Sequence, residues 1–537
     1  MSKKNVRLKD VQDRIIAIVN LIADAVTSTM GPGGHSVLTT SLAGAPIITK
    51  DGVTVANSIE LEDEEDNLIA NVIKEAAEKT NKEAGDGTTT SIALTRAILV
   101  EGQKYVKAGH NVTQIKTELN KAKNKVLEEL DKYVKTIDHK DKEDLYNKLL
   151  AISTISMNGE IEISKLIAEA ISKAGKYGIV NVIENKIDKN ELEMIEGIKL
   201  NQGWVSPFFV SKRGDKRIIL EDCSILITSH QLKNAAQLQA LEESLKPLIK
   251  SAKPLLIIAS ETSNEFLSNM VANNTQGRLT NCAIRPPYFG NIRKEFFTDL
   301  AIITGATVIE AEQGHSLDKV RFAHLGRAQR VEITETSTTI IGGAGKTEAV
   351  QERIKDLDKQ VKQINFKDLD KVEERLAKLA GGVVLIKLAR QSTIEMEERR
   401  HRIEDAVNAC KAALEEGIIP GGGVSLMRAA TVLNDQKPGE KILLEACKEP
   451  LKRIANNAGY SGDNAIYMAE NILTDDQTID AINQDIVYAF ENGIVDPIKV
   501  TKKALTNAVS IASTLLTTNV VISDIPVDTP PNPYGVY

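Results

Sequence analysis

The hexapeptide Gly85-Asp86-Gly87-Thr88-Thr89-Thr90 combines a ligand for a hard metal ion with a phosphate cradle. An aspartate oxygen can reach a magnesium ion that also holds substrate phosphates. Gly85 and Gly87 permit backbone angles and close approaches that side-chain-bearing residues resist. The threonines open a stretch with Ile92, Leu94, Ala97 and Ile98 at apolar periodicity. Free amides and the positive end of that helix would face an anion. An ordinary helix cap beside a glycine turn accounts for the same six residues about equally well.

Other segments offer weaker chemistry. Gly342-Gly343-Ala344-Gly345-Lys346-Thr347 resembles the end of a P-loop, but Ile340 stands where the pattern needs its first glycine. That defect removes the first turn of the cradle and demotes a P-loop phosphotransferase using Lys346 to a rival reading. Gly421-Gly422-Gly423 could admit a ligand close to the backbone, or simply separate two helices. Asp51 alone reads as a turn residue. Asp405 falls in a charged helix expected over 395–416, where a solvated face is the default. Asp496, before Pro497, reads as a turn or cap.

The positioning elements follow from periodicity. Val11, Ile15, Ile18, Val19, Ile22 and Val26 predict one helical face over 11–30, broken by Gly31-Pro32-Gly33-Gly34. Residues 46–50, Asp51-Gly52 and 53–55 predict a tight hairpin with a primed turn. The acidic run 62–66 suits a helix N-terminus, and helices continue over 68–135. From about 179 to 345, short β-rich runs alternate with helical stretches, which predicts an α/β layer with partly parallel pairing. Beyond Gly381-Gly382 the pattern is helical to about 515, and the Pro-rich segment after 526 is expected to be mobile.

Length and composition bound the function. With 537 residues, the chain exceeds what one core usually serves. The formal charge of −7 argues against a nucleic-acid partner. Cys223, Cys282, Cys410 and Cys447 form no C-x-x-C pair, which fits buried thiols in a reducing compartment. Apolar runs are strand-sized, and no signal-peptide core follows Met1, so no membrane partner and a cytoplasmic location are expected.

In their order, these segments closely resemble the group I chaperonins, the GroEL family, over about residues 7–526. The matching text includes Thr29-Met30-Gly31-Pro32, Lys50-Asp51-Gly52-Val53, 84–90, 253–259, Arg402-Ile403-Glu404-Asp405-Ala406, 420–424 and 493–500. The resemblance implies an α+β multidomain, GroEL-like fold. Residues 1–135 plus 416–537 would form a helical equatorial ATP-binding domain. Residues 136–196 plus 384–415 would form a small intermediate domain, and 197–383 an α/β apical substrate-binding domain. Gly197, Gly381-Gly382 and Gly417 sit at the family's hinges.

The resemblance further implies that Thr29, Met30, Gly31, Pro32, Lys50, Gly87, Thr88, Thr89 and Thr90 surround the phosphates of ATP. Asp86 would hold magnesium, with potassium a second candidate ion. Asp405 and Asp51 would act on the attacking water, and Gly422, Asp480, Ala481, Ile482 and Asp496 would contact the nucleoside. Trp204, Phe208, Phe209, Leu245, Leu267 and Val271 would bind non-native client proteins, whereas an anonymous apolar stripe such as Leu238, Leu241, Leu245 and Leu248 is usually core. A homo-oligomeric ring is implied as partner, with a GroES-type cochaperonin as a further candidate. The sequence departs from the family at Gly33, Glu242, Asp480 and Ser461, and it lacks the Gly-Met-rich tail. This divergence suggests a specialised copy, in a host cytoplasm if viral; a passive binding scaffold is the alternative within the family.

Overall fold

The computed structural model describes residues 3–7, 11–40, 46–138, 141–157, 159–174, 179–184, 189–195, 197–210, 217–246, 253–363, 369–380, 383–389, 392–471 and 474–524. Leu248, Gly381-Gly382 and the segment after 526 lie outside them. The chain divides into two compact units, Met1–Ser172 with Arg390–Tyr537, and Lys173–Ala389.

The first unit is helical because its long segments carry apolar residues at helical spacing. Helices Val11–Thr27, Glu64–Ala84, Thr88–Lys107, Val112–Leu130 and Ile498–Leu516 bury those faces in one core. Early and late chain therefore share a single apolar interior, with Ile73, Ile98 and Leu119 fully buried beside Leu505 and Val509. Helix Glu64–Ala84 starts at Asp63, whose side chain accepts from the Asp66 amide, and its first turn is acidic. It stops at Gly85, which takes a left-handed φ of 73°. Strand Lys3–Arg7 also pairs antiparallel with Val520–Asp524.

The primed hairpin around Asp51-Gly52 does not form. Strand Pro46–Thr49 pairs instead with Val37–Thr40 upstream, and Gly52–Ser58 is a helix. The reason is local: the Asp51 carboxylate accepts from the Val53 and Thr54 amides, so it caps a helix rather than turning a hairpin. The first helix also ends earlier than expected, at Thr27.

In the second unit, six strands run in the order Gly197–Leu200, Thr338–Gly343, Gly326–Thr334, Arg217–Leu232, Leu255–Thr262 and Asn281–Ile284. The last two joins are parallel and the others antiparallel, matching the expected mixed layer. A separate sheet pairs Val383–Leu388 with Ile179–Glu184 and Glu191–Ile195. Strand Val383–Leu388 interrupts the return to helix expected after residue 382. Its run of consecutive apolar residues is as strand-like as it is helical, and burial on the sheet decides. Helices Thr347–Gln363 and Leu369–Ala380 are joined to helix Gly290–Thr304 by buried charges. Asp299 takes Nε of Arg353 at 2.8 Å and Nε of Arg375 at 2.6 Å, so each buried ion has a partner.

All four cysteines are buried free thiols, and burial pushes Cys223 and Cys447 up to about 12. Among the described residues, no helix is long and apolar enough to cross a membrane.

Candidate functional site

The hexapeptide forms the passage between two helices of the first unit. Gly85 ends one and Gly87, with φ 81°, opens Thr88–Lys107 without any side-chain cap. The amides of the first turn are thus left for an anion at the positive end of a twenty-residue helix. Both glycines are required by contact as well as by angle. A Cβ on Gly85 would lie 2.5 Å from Cβ of Asn408, and one on Gly87 would lie 2.6 Å from Cγ1 of Val500.

Asp51 approaches from the side. Its Oδ2 accepts from the Thr54 amide at 2.8 Å and the Thr54 hydroxyl at 2.5 Å, which fixes the carboxylate. The next residue, Gly52, packs on the threonines: a Cβ there would meet Oγ1 of Thr89 at 2.5 Å and Oγ1 of Thr88 at 2.8 Å. Lys50, half-buried, directly precedes Asp51. Asp405 arrives on helix Thr393–Glu416, anchored to the same place by Asn408, whose Nδ2 donates to the Gly85 carbonyl at 3.4 Å. Asn408 was not singled out from the sequence. Its spacing of three from Asp405, one helical turn, is the signal that would have found it.

A fourth carboxylate closes the group. Strand Ile418–Pro420 pairs with Val495–Pro497, setting Ile419 opposite Asp496. The amides of Gly422 and Gly423 donate to Asp496, and a Cβ on Gly421 would lie 3.0 Å from its Oδ1. Thr478 Oγ1 donates to the Gly421 carbonyl at 2.8 Å, tying the glycine loop to the ribbon Gln477–Asp480 and Asp485–Tyr488. At the tip of that ribbon Asp480 accepts from the Ile482 and Asn483 amides; Ala481 is buried and Ile482 exposed.

The turn after helix Val11–Thr27 is held from the late chain too. Asn457 Nδ2 donates to the carbonyls of Thr27 at 2.8 Å and Met30 at 2.9 Å. Thr29 is buried with its hydroxyl on the Val26 carbonyl, Gly31 takes φ 77°, and Pro32 is exposed. A lone asparagine more than 400 positions away carries no sequence signal for this role.

Electrostatics marks the site. Poor hydration lifts Asp86 to about 6, helped by the charge of Asp51. Burial lifts Asp496 to about 7, with Asp86 adding to it. Asp405 rises well above its ordinary value through burial and the charges of Asp51, Asp86 and Glu404. Like charges crowded in a poorly hydrated place suppress one another's ionisation and favour a cation. No cluster of three or more metal ligands is preassembled among the described residues. The donor set instead fits a magnesium ion held by one carboxylate with substrate phosphates and water.

The near P-loop at 342–347 is built differently. It does follow strand Thr338–Gly343 and precede helix Thr347–Gln363. Yet the Ala344 amide donates to the Arg327 carbonyl and the Gly345 amide to the Ile303 carbonyl. Those donors are committed to protein, so the turn is packing rather than a cradle.

These features come together in a chain whose residues 22–526 match the model of the TCP-1/cpn60 chaperonin family. The protein belongs to that family. The chaperonin also resembles crystal structures of the chaperonin gp146 from the bacteriophage EL 2 (Pseudomonas aeruginosa), obtained in the presence of ATP-BeFx. In crystal form II the TM-score is 0.68 at 22% identity, over 97% of this chain and 99% of that one. In crystal form I it is 0.62, at 22% identity over 97% and 99%. The fold is that of a GroEL-like chaperonin.

The expected client-binding residues of this chaperonin divide by exposure. Phe208 is 76% exposed, and Trp204 and Val271 are half-buried against the core of the second unit. Phe209, Leu245 and Leu267 are buried inside it. The cause is packing of helix Ala235–Ser244 on Asn264–Thr275, joined by a hydrogen bond from Asn273 to Glu242. That bond also gives the unusual Glu242 a structural task.

Proposed function

We propose that this chaperonin hydrolyses ATP at the four-carboxylate site and uses the cycle to fold non-native proteins held within a ring of its own copies. The observation that carries the reading is the convergence of Asp51, Asp86, Asp405 and Asp496 around the uncapped start of helix Thr88–Lys107. The amides of Thr88, Thr89 and Thr90 would take phosphate oxygens, with Thr29, Met30, Gly31, Pro32, Lys50 and Gly87 at the border. Magnesium held by Asp86 would neutralise the charge that develops on the phosphates. Asp405 would orient the attacking water and take its proton, beside an Asp51 already immobilised by Val53 and Thr54. Gly422, Asp496 and the ribbon turn Asp480-Ala481-Ile482 would frame the nucleoside.

The proposal is tested by comparing turnover in two variants. Lys346→Ala should leave ATP hydrolysis within about twofold of wild type, as expected for an exposed side chain outside the site. Asp86→Ala should bring it to background. The reverse result would transfer the chemistry to residues 342–347. Turnover without rescue of a denatured client would favour the passive scaffold, and with it a futile ATPase.

For clients, the exposed Phe208 is the residue best placed to meet apolar surface. Phe208→Ser should weaken capture of a denatured protein by roughly tenfold, the range of an aromatic anchor, without lowering the melting midpoint. Phe209→Ser should do the opposite: it opens the core at a cost of about 3 kcal/mol or more and lowers the midpoint first. Light scattering of an aggregating client and calorimetry separate the two. Full capture by the Phe208 variant would move the binding surface elsewhere.

A further inference from the structure

The ribbon Gln477–Asp480 and Asp485–Tyr488 has only two strands, and such a ribbon does not hold its own position in water. Thr478 ties its first strand to the glycine loop and Ile479 packs on Val424 and Met427, while the base of the ribbon is met by the side chain of Lys135. Lys135 Nζ lies 3.3 Å from Oδ1 of Asp476, one residue before the first strand, and 3.7 Å from the ring centre of Phe490, two residues after the second. The Ala489 amide donates to the Asp476 carbonyl at 2.8 Å, so the lysine spans a closed neck. On the opposite side, Arg428 donates Nη1 to the Asp475 carbonyl at 2.9 Å.

The backbone of Lys135 is committed elsewhere. It exchanges both hydrogen bonds with Ile418, at 2.8 and 3.0 Å. Ile418 begins the strand leading to Gly421–Gly423 and follows Gly417, which ends the helix carrying Asp405. Gly417 takes φ 92°, and a Cβ there would lie 2.8 Å from the Lys135 carbonyl. One residue thus joins the exit of the Asp405 helix, by its main chain, to the neck of the nucleoside ribbon, by its side chain.

We infer that Lys135 is a positioning residue for nucleoside recognition, fixing the ribbon tip against the strand that leaves the Asp405 helix. The inference rests on the nucleotide-site reading above and adds a residue to it. It acts through the ribbon, so it bears on the nucleoside and leaves the phosphate cradle untouched.

The test uses the full chain and steady-state ATP hydrolysis. Lys135→Gln should raise KM for ATP roughly fivefold, the combined size of one exposed cation–π contact and one exposed ion pair, with kcat changed less than about twofold. Lys135→Arg keeps the charge and the ring contact and should restore KM. Inhibition by tripolyphosphate, which has no nucleoside, should be equal in all three proteins. Phe490→Leu removes the ring contact but keeps the ion pair, so it should raise KM by less than Lys135→Gln does, and the double variant should be no worse than Lys135→Gln alone. An unchanged KM in Lys135→Gln overturns the inference, as does equal impairment in Lys135→Arg or weakened tripolyphosphate inhibition. Absence of any ATP turnover in wild type would instead overturn the underlying nucleotide reading.

Discussion

Asp405→Ala should slow ATP turnover by a factor on the order of a hundred to ten thousand, the span of a positioned general base. Binding of a fluorescent ATP analogue should stay within a few-fold of wild type. The separation follows from where the side chain stands. Asp405 belongs to helix Thr393–Glu416, whereas the amides at the start of Thr88–Lys107 and the Asp496 loop belong to other segments. Removing one carboxylate leaves those contacts in place, and it relieves crowding with Asp51 and Asp86. Affinity for the anionic nucleotide could therefore rise slightly while chemistry fails. Asp405→Asn keeps the shape and should be as slow, because the amide cannot accept the proton. If Asp405→Asn turned over ATP at the wild-type rate, the base would have to be another group.

The second large effect concerns stability and pH. Asp86 and Asp496 titrate in the folded, nucleotide-free protein at about 6 and about 7, against an ordinary value of 3.8. Asp405 is raised as well. Between these limits the folded state binds more protons than the unfolded chain. Their contribution is complete below the unfolded value and is lost as pH rises through 6 and 7. One raised carboxylate with a shift of this size corresponds to on the order of 3–4 kcal/mol. The melting midpoint of the nucleotide-free protein should consequently fall from about pH 5 to about pH 8.

Asp496→Asn should flatten that decline and stabilise the empty protein at the alkaline end. Magnesium with a non-hydrolysable ATP analogue should restore more stability at about pH 8 than at about pH 5, since a bound cation meets carboxylates that are ionised there. Glu440, held down to about 2 by donors from Asn434, Lys125 and Lys437 despite dehydration, acts in the opposite direction and only in strong acid. Differences between variant and wild type isolate the site from such groups. An identical pH profile for Asp496→Asn and wild type would mean that the carboxylates are not crowded as described.

Helix Glu64–Ala84 and the start of Thr88–Lys107 were legible in the sequence because their signals are local. A capping aspartate, an acidic first turn, a left-handed glycine and an apolar period each act within a few residues. The strands at Leu255–Thr262 and Thr338–Gly343 were legible for the same reason. Asp51 shows where local reading fails. Hairpin turn and helix cap use the same residue types; here Asp51 caps Gly52–Ser58 while Pro46–Thr49 pairs upstream with Val37–Thr40. Phe208 and Phe209 make the point for surfaces: neighbours of one type, one exposed and one buried, with no sequence pattern to divide them.

Residue types and their order therefore determined the family, the helical periods and the acidic and glycine-rich character of the candidate site. Tertiary structure alone decided which carboxylates meet. Asp86 and Asp405 lie more than 300 positions apart, and only the shared core of early and late helices sets them in one another's field. It also decided that Asn457 and Asn408 brace the site and that residues 342–347 spend their amides on packing. The physical reason is common to all of these: propensity and capping act over one turn of chain, whereas a contact across hundreds of residues exists only once burial has paid for closing the loop between them.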